Sequence, residues 1–416
     1  MSTHRHLPVR PDLTQLKHQA KELLTALHAG VPTAIAELRT FHPKFDQLDP
    51  SRTQLSDAQL TLARAYGVPS WPRLVLACEL IDAIWRGDLE AVRGLIEKHP
   101  SLLKENARGT AQCNWGPALS YAANVGQEEI VQFLHNSGAN GIQHAFERAC
   151  LRGKLETARR LHSLGARPQP GSVMGPCETL SAPGLALQLE LGTELVDEHG
   201  NRLAPLALVL ETYSRNPDGK QAVLEIFVQH GYPLPDTAVF AVHRGRIDLL
   251  AAHVQRAPSV LTRQFAHEEI YPPELGCHTD HTFALCGTPL AGGTLLHLAV
   301  DDDAYEVAKW LLENGADVNA PAAIDTDGFG GHTALFGCVV SQAYRCSRPS
   351  ERMAQLLLDH GANTTIRVNL RKALRFVDDE TLHEYFDVTP RTWGERFHDQ
   401  DWVNPAVLAL LAPASP

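Results

Sequence analysis

The sequence lacks the features of a membrane-spanning protein and of a small disulfide-rich one. No stretch approaches the ~18 consecutive apolar residues that a membrane span needs, and residues 1–10 are polar and basic. The eight cysteines are scattered through 416 residues without a CxxC pair, which is not the framework of a disulfide-stabilised fold. We therefore expect a reduced, cytoplasmic protein that does not enter a membrane.

Basic residues are also in deficit. Lysine and arginine number 37 against 48 aspartates and glutamates, which gives a formal net charge of −11. A surface of this sign opposes binding to nucleic-acid phosphates and to anionic membranes. We expect no nucleic-acid or membrane partner, and a protein partner that is neutral or basic.

The common enzyme signatures are missing as well. No glycine loop of the form GxGxxG or GxxxxGK[ST] opens a helix, and neither GxSxG nor HExxH occurs. No motif predicts a cofactor. The interpretation of function therefore depends on the organisation of the chain.

Internal repeats dominate that organisation. Residues 83–90 align with residues 241–248, and the same alignment places residues 100–103 on residues 258–261 without a gap. Gly87 and Gly245 follow a first helix, where a tight turn needs positive φ, and an apolar stripe marks a second helix. Because one such pair cannot bury both faces, the pattern predicts stacked neighbours.

Three segments resemble ankyrin repeats. The strongest reads Gly293-Thr294-Leu295-Leu296-His297-Leu298-Ala299 and continues through residues 308–320, and weaker copies cover 332–336 with 356–363 and 116–123 with 133–140. The resemblance implies that Thr294 caps a helix and that His297 is an architectural residue bonding to the neighbouring repeat. Thr333 occupies the same capping place in the next repeat, where Phe336 replaces the histidine.

The fold class we predict is all-α: an ankyrin-repeat solenoid of seven or eight helix pairs. Residues 1–76 form an N-terminal helical cap, 77–388 the repeat array, and 389–416 a C-terminal partial repeat or cap. In the first segment Asp12 can cap a helix with one apolar face, which serves either as the cap or for dimerisation. Residues 7–11 and 16–21 resemble the leader of bacterial ankyrin proteins.

Uneven spacing of the repeats predicts three enlarged finger loops: a first finger at 168–203, a second at 262–292 and a third at 321–331. The first is read as turns or a hairpin. In the third, Phe329 either forms an apolar tip or packs into the groove against the second finger. Asp301, Asp302 and Asp303 are interpreted as an exposed acidic turn, with a cation site or a grip on a basic partner as the alternative.

The second finger concentrates metal-capable side chains, and the weak zinc candidates are Cys277, His278, His281 and Cys286. Their spacing departs from the usual zinc knuckle, so we predict no metal. We interpret the segment as a rigid extended finger whose histidines are surface polar groups or local hydrogen-bond partners.

Our leading hypothesis is a non-enzymatic interaction scaffold that binds a partner through its concave groove and finger edge. The candidate binding residues are Tyr271, His278, His281, Phe283, Asp302, Asp327, Phe329 and His332. The alternative is a hydrolase or transferase, metal-dependent or based on His, Asp and Cys groups. Its candidate catalytic residues are His278, Asp280, His281, His332, Asp325 and Asp327.

Overall fold

A computed structural model describes residues 5–111, 113–348 and 350–412. The chain divides into two compact units, Met1–Pro168 and Gln169–Pro416. The prediction of an all-α chain is confirmed in that the described residues are mainly helical, with one small two-stranded sheet that the sequence analysis missed. None of the described helices combines the length and the apolar character needed to cross a bilayer.

The described part of the first unit is built from nine α-helices and three short 3-10 helices. The α-helices are α1 Leu13–His28, α2 Pro32–Phe41, α3 Leu55–Ala65, α4 Trp71–Arg86, α5 Leu89–Lys98, α6 Ala118–Val125, α7 Glu128–Asn136, α8 Ile142–Leu151 and α9 Leu155–Ser163. The 3-10 helices are Phe45–Gln47, Pro50–Arg52 and Pro100–Leu103. Helix α4 continues through position 76, where the sequence analysis placed the end of the cap segment.

Helix α1 begins as predicted. The Asp12 carboxylate accepts hydrogen bonds from the backbone N–H groups of Thr14 and Gln15, at 2.7 and 3.2 Å, and so satisfies donors that the first turn leaves free. The apolar face of this helix is buried in a core that also contains residues of α2, α3 and α4.

Helices α4 to α9 form three antiparallel pairs. Gly87, Gly126 and Gly153 follow the first helix of each pair with φ of 71°, 86° and 63°, as the turn prediction requires. The first helices α4, α6 and α8 contact one another in succession, and so do the second helices α5, α7 and α9. The faces that a single pair would leave exposed are therefore covered by its neighbours.

The described part of the second unit has fourteen α-helices and two strands. The α-helices are α10 Met174–Glu178, α11 Ala182–Glu190, α12 Leu203–Glu211, α13 Pro217–Gln229, α14 Ala238–His243, α15 Ile247–Arg256, α16 His267–Ile270, α17 Leu295–Asp301, α18 Tyr305–Glu313, α19 Ala334–Val339, α20 Gln342–Ser347, α21 Arg352–Asp359, α22 Pro390–Arg396 and α23 Pro405–Leu410. Four 3-10 helices, Pro258–Leu261, Pro273–Leu275, His281–Phe283 and Gln400–Trp402, and the strands β1 Val368–Lys372 and β2 His383–Val388 complete it.

Two details of this unit differ from expectation. The hairpin interpretation of the first finger is wrong, because residues 169–203 contain α10 and α11 and no strand. The observed hairpin lies instead at residues 368–388, where β1 and β2 pair antiparallel with Leu370 opposite Tyr385 and Lys372 opposite His383. Helices α14, α17, α19 and α22 contact one another in succession and carry the fingers and the hairpin.

Candidate functional site

The second finger, the third finger and the β-hairpin enclose a cavity of about 620 Å³. All of its lining residues belong to the second unit. The second finger contributes residues between 266 and 292, and the hairpin contributes residues 370–373 and Leu382. The third finger contributes residues 323–325, 329 and 330, and His332 directly follows it. A volume in this range is typical of small-molecule sites.

The hairpin places a cation inside this cavity. Leu370 and Lys372 are two positions apart on β1, so their side chains lie on one face, and both are buried and line the cavity. The Lys372 Nζ atom is 3.8 Å from Sγ of Cys286 in the second finger. Burial raises the pKa of the Cys286 thiol, although Lys372 opposes that change.

The third finger is attached to the same hairpin. Arg371 donates to Oδ2 of Asp325 at 2.8 Å and to Oδ2 of Asp327 at 3.0 Å, and the Gly330 N–H donates to the Asn369 carbonyl at 2.8 Å. Hydrogen bonds from the backbone of Phe329 and Asp327, followed by Arg371, lower the pKa of Asp325.

Of the two predicted positions for Phe329, an apolar tip or a packed side chain, the structure shows the packed one, with 8% of its surface exposed. Its ring lies 5.5 Å from that of Phe386 and 5.0 Å from the Arg371 guanidinium. The hairpin covers it, and it also lines the cavity shared with the second finger.

The second finger is folded rather than extended. The His278 Nδ1–H group donates to Oε2 of Glu211 at 2.9 Å, and the His278 backbone N–H donates to the other oxygen of the same carboxylate. Asp280 is paired with Arg375 at 2.9 Å, and hydrogen bonds from Thr282 lower the pKa of Asp280 to about 2. Tyr271 and Cys277 are buried in the core.

The four weak zinc candidates do not come together. His278 is paired with Glu211 and stacks on Phe283 with ring centroids 4.2 Å apart, whereas Cys286 lies beside Lys372. Within residues 5–111, 113–348 and 350–412, no group of three or more histidine, cysteine, aspartate or glutamate side chains could hold a metal ion.

The candidate catalytic residues are dispersed. His281, Asp325 and His332 line the cavity, whereas His278, Asp280 and Asp327 do not. No side-chain hydrogen bond between a histidine and an aspartate of this set occurs among the described residues. His332 is committed to the Pro289 carbonyl at 2.8 Å, and burial lowers the pKa of its imidazole to about 4. The arrangement thus offers no acid–base pair of the kind the enzyme alternative requires.

The prediction of an exposed acidic turn at residues 301–303 is wrong for Asp301 and Asp302. Asp301 is 2.9 Å from Arg215 Nη2, and Asp302 is 2.8 Å from Lys220 Nζ, with all four side chains buried. His243 lies 3.4 Å from Asp302. Burial raises the pKa of Asp302, but Lys220 and His243 outweigh it and leave that pKa lowered. Asp302 is therefore an internal structural carboxylate and does not reach the surface.

The candidate binding residues divide by exposure. His278, His281 and Asp327 are exposed and Phe283 is half-buried, whereas Tyr271, Asp302, Phe329 and His332 are buried. Lys372 and Arg371 were not predicted, and neither were four exposed apolar side chains on the third finger and the hairpin. Those four are Ile324, Phe376, Leu382 and Phe386. The alternating apolar and polar residues of 368–371 are the signal that predicts strand β1.

His297 has the architectural role that the sequence implied. Its Nδ1 accepts from the Thr294 backbone N–H at 3.1 Å, and its Nε2 donates to the His332 carbonyl, 35 residues away, at 3.1 Å. At the next helix pair Thr333 makes no capping bond, and its buried hydroxyl has no partner. Phe336 stands in the place of the histidine and has no ring nitrogen that could accept a hydrogen bond from Thr333.

The comparison with family models agrees with these contacts. The model described as ankyrin repeat matches residues 291–323. A comparison with curated proteins finds no match to this chain. The mainly helical second unit therefore contains an ankyrin repeat, and Thr294 and His297 lie within it.

Proposed function

We propose that this protein is a non-enzymatic interaction scaffold that binds a partner protein at the finger edge of its second unit. The observation that supports this role is a set of four exposed apolar side chains on the third finger and the hairpin, two of which, Ile324 and Leu382, line the cavity. Ile324, Phe376, Leu382 and Phe386 expose 66%, 74%, 57% and 54% of their surface. We call these four side chains the apolar rim.

The apolar rim differs from the rest of the described surface. The other exposed large hydrophobic side chains expose only 36–39% of their area, and they are Val31, Leu55, Leu203, Tyr213 and Leu410. Single surface hydrophobics are ordinary, but a group of highly exposed ones on neighbouring loops is typical of an interaction surface. Aromatic anchors such as Phe376 and Phe386 contribute much of the binding energy in protein interfaces.

The ankyrin repeat at residues 291–323 supports the same role, since such repeats are interaction modules. We further propose that the helix pairs stack as a solenoid, with residues 1–76 as a cap and 389–416 as a terminal partial repeat. In such an array the loops of successive repeats share one edge, and insertions on that edge enlarge the binding face.

Local charge favours a basic partner. The segment 376–387 carries five acidic residues and no lysine or arginine, and all five are exposed: Asp378, Asp379, Glu380, Glu384 and Asp387. Two of the five are compensated by nearby arginines, since Glu380 pairs with Arg375 and Asp387 with Arg367. Arg371 is paired with carboxylates of the third finger. A neutral or basic protein surface would meet complementary charge here, whereas nucleic-acid phosphates would be repelled.

Within this proposal, His278, His281, Phe283 and Asp327 contact the partner together with the apolar rim. Tyr271, Phe329 and His332 are buried beneath the edge and would shape it without direct contact. Asp302 is no longer a proposed contact because its carboxylate is enclosed by Lys220 and His243.

The test compares two variants of the full chain as bait in quantitative affinity purification from source cells. One is the rim double variant Phe376→Ser with Phe386→Ser. The other is the control Val31→Ser, which alters an exposed apolar residue at the start of α2. Any protein that wild type and control both retain, and that the rim variant loses, is then purified for a direct affinity measurement.

We expect the dissociation constant for that purified partner to be at least tenfold larger with the rim variant, which is equivalent to a loss of about 1.4 kcal/mol in binding free energy. Circular dichroism should show equal helix content in the three proteins. If the purified partner binds the rim variant as tightly as wild type, or if no protein distinguishes the variants, the apolar rim is not the interaction surface.

A further inference from the structure

We propose that the cavity between the two fingers and the hairpin binds a small monocarboxylic acid with an apolar body, whose carboxylate pairs with Lys372. This inference is independent of the partner protein proposed above. It rests on a buried cation without a counter-ion, on the lining of the cavity and on its volume.

Lys372 is 5% exposed, and the structure gives its ammonium one contact, the Cys286 sulfur at 3.8 Å. Among the described residues, no carboxylate oxygen lies within 4.0 Å of Nζ. The other buried cations of the unit behave differently, because Arg215 and Lys220 each meet a carboxylate at 2.8–2.9 Å. Removing an ammonium from water without a partner costs several kcal/mol, so Lys372 calls for an anion from outside the chain.

The nearby acidic groups do not fill that role. Asp325 lines the cavity, but its carboxylate is bonded to Arg371 and to the backbone of its own finger. Glu268 also lines the cavity, is exposed, and lies beyond 4.0 Å from Lys372. Both place negative charge at the exposed part of the site, which opposes a ligand with more than one negative charge.

His332, another lining residue, has a buried ring nitrogen without a hydrogen-bond partner. His332 is 2% exposed, and its Nδ1 has no hydrogen bond. Because Nε2 faces the Pro289 carbonyl at 2.8 Å, Nε2 carries the proton and Nδ1 is an acceptor.

The rest of the lining is mainly apolar and includes Ala284, Leu290, Phe329, Leu370 and Leu382. A cavity of about 620 Å³ holds far more than one inserted side chain, which favours a free small molecule. One unpaired positive charge against an apolar wall matches one carboxylate on an apolar body. A phosphate would need more donors, and Arg371 is already committed to two aspartates.

The test uses isothermal titration calorimetry of the full chain with octanoate, 4-phenylbutyrate and benzoate. Octan-1-ol, octylamine and octyl phosphate are matched probes that change only the head group of octanoate. We expect at least one carboxylate to bind with a dissociation constant below about 1 mM and at least tenfold more tightly than the alcohol, amine or phosphate.

The variant Lys372→Met keeps most of the length of the side chain and removes its charge. We expect at least a tenfold loss of carboxylate affinity, with a melting temperature no lower than that of the ligand-free wild type, because no internal ion pair is lost. Arg375→Met on the same hairpin segment lies outside the cavity lining and should bind as wild type does.

Three results would overturn the proposal. The first is the absence of binding of all three carboxylates below about 1 mM. The second is equal carboxylate binding by wild type and Lys372→Met. The third is binding of the alcohol, the amine or the phosphate as tight as that of octanoate. Loss of the partner protein in the rim variant with intact octanoate binding would separate this site from the interaction surface.

Discussion

The Nζ atom of Lys220 lies 2.8 Å from Oδ2 of Asp302, and both side chains are buried. Lys220 belongs to α13 and Asp302 directly follows α17, so the pair joins the ankyrin repeat to the helices that precede it. Arg215 and Asp301 form a parallel link at 2.9 Å. These internal charges are compensated within the fold, in contrast to Lys372.

Removing the charge of Asp302 should destabilise the second unit strongly. Asp302→Asn leaves the Lys220 ammonium buried without a counter-ion, and we expect a loss of about 3–5 kcal/mol in the free energy of unfolding. Urea denaturation followed by circular dichroism measures the change, and amide hydrogen exchange in α17 locates it. The double variant Lys220→Met with Asp302→Leu should recover most of the loss. If Asp302→Asn costs under about 1 kcal/mol, the pair does not hold the repeat in place.

Asp303 is a site where glycine should improve the fold. The corresponding turns contain Gly87, Gly126 and Gly245 with positive φ, whereas Asp303 itself has a φ of 57°. A non-glycine residue there costs about 1 kcal/mol, so Asp303→Gly should raise the free energy of unfolding by up to that amount. Asp303→Ala, which keeps the strain and removes the local polar group, is the control. A lower stability for the glycine variant than for the alanine variant would contradict the strain argument.

Because two histidines are buried, we expect the free energy of unfolding to decrease as the pH is lowered. Burial lowers the pKa of His332 from its ordinary value of 6.5 to about 4, and burial together with His332 lowers that of His297 to about 3. Between those values the unfolded chain binds protons that the folded chain does not. The stabilisation is therefore complete above pH 6.5 and is lost progressively as the pH falls to about 4.

For His332 alone, this difference amounts to about 3 kcal/mol. The variant His332→Gln keeps an N–H donor for the Pro289 carbonyl but does not titrate, so its loss of stability between pH 7.5 and 4.5 should be smaller by about 2–3 kcal/mol. Urea midpoints across this range check it, with His230→Gln on the surface as the control. An identical pH dependence for His332→Gln and wild type would show that folding does not lower the pKa of this imidazole.

Arg371 should control the mobility of the third finger more than global stability. Its ion pairs with Asp325 and Asp327 are partly exposed, so Arg371→Met should change the free energy of unfolding by less than about 1 kcal/mol. Faster amide exchange at residues 325–330 should accompany the change. Arg367→Met, which breaks an exposed pair with Asp387, should leave that exchange unaltered. Unchanged exchange in both variants would mean that the backbone hydrogen bond from Gly330 to Asn369 is enough to hold the third finger in place.

Parts of the fold could be predicted because their causes are local. The Asp12 cap, the positive φ of Gly87 and Gly245, and the His297 contact each depend on a few neighbouring residues and a recurring motif. The hairpin at 368–388 was missed, since its strands are only five and six residues long and the alternation that predicts β1 covers only residues 368–371.

The candidate site was less predictable than the fold. The second and third fingers do border one cavity, but the cation in its wall comes from the unpredicted hairpin. Asp302 was placed on the surface because three adjacent carboxylates are usually solvated, and the buried positions of Lys220 and Arg215 could not be inferred from spacing. The zinc candidates failed for a related reason, because His278 is held by Glu211 from a different element.

The sequence by itself determined the helix pairs, their glycine turns and the ankyrin motif, since these follow from residues close together along the chain. Only the tertiary structure decided which charges meet. Lys372 and Cys286 are separated by 86 positions, as are Arg215 and Asp301, yet one cation lacks a carboxylate and the other has one. The difference depends on which side chains become buried together when distant segments pack, and local periodicity carries no information about that.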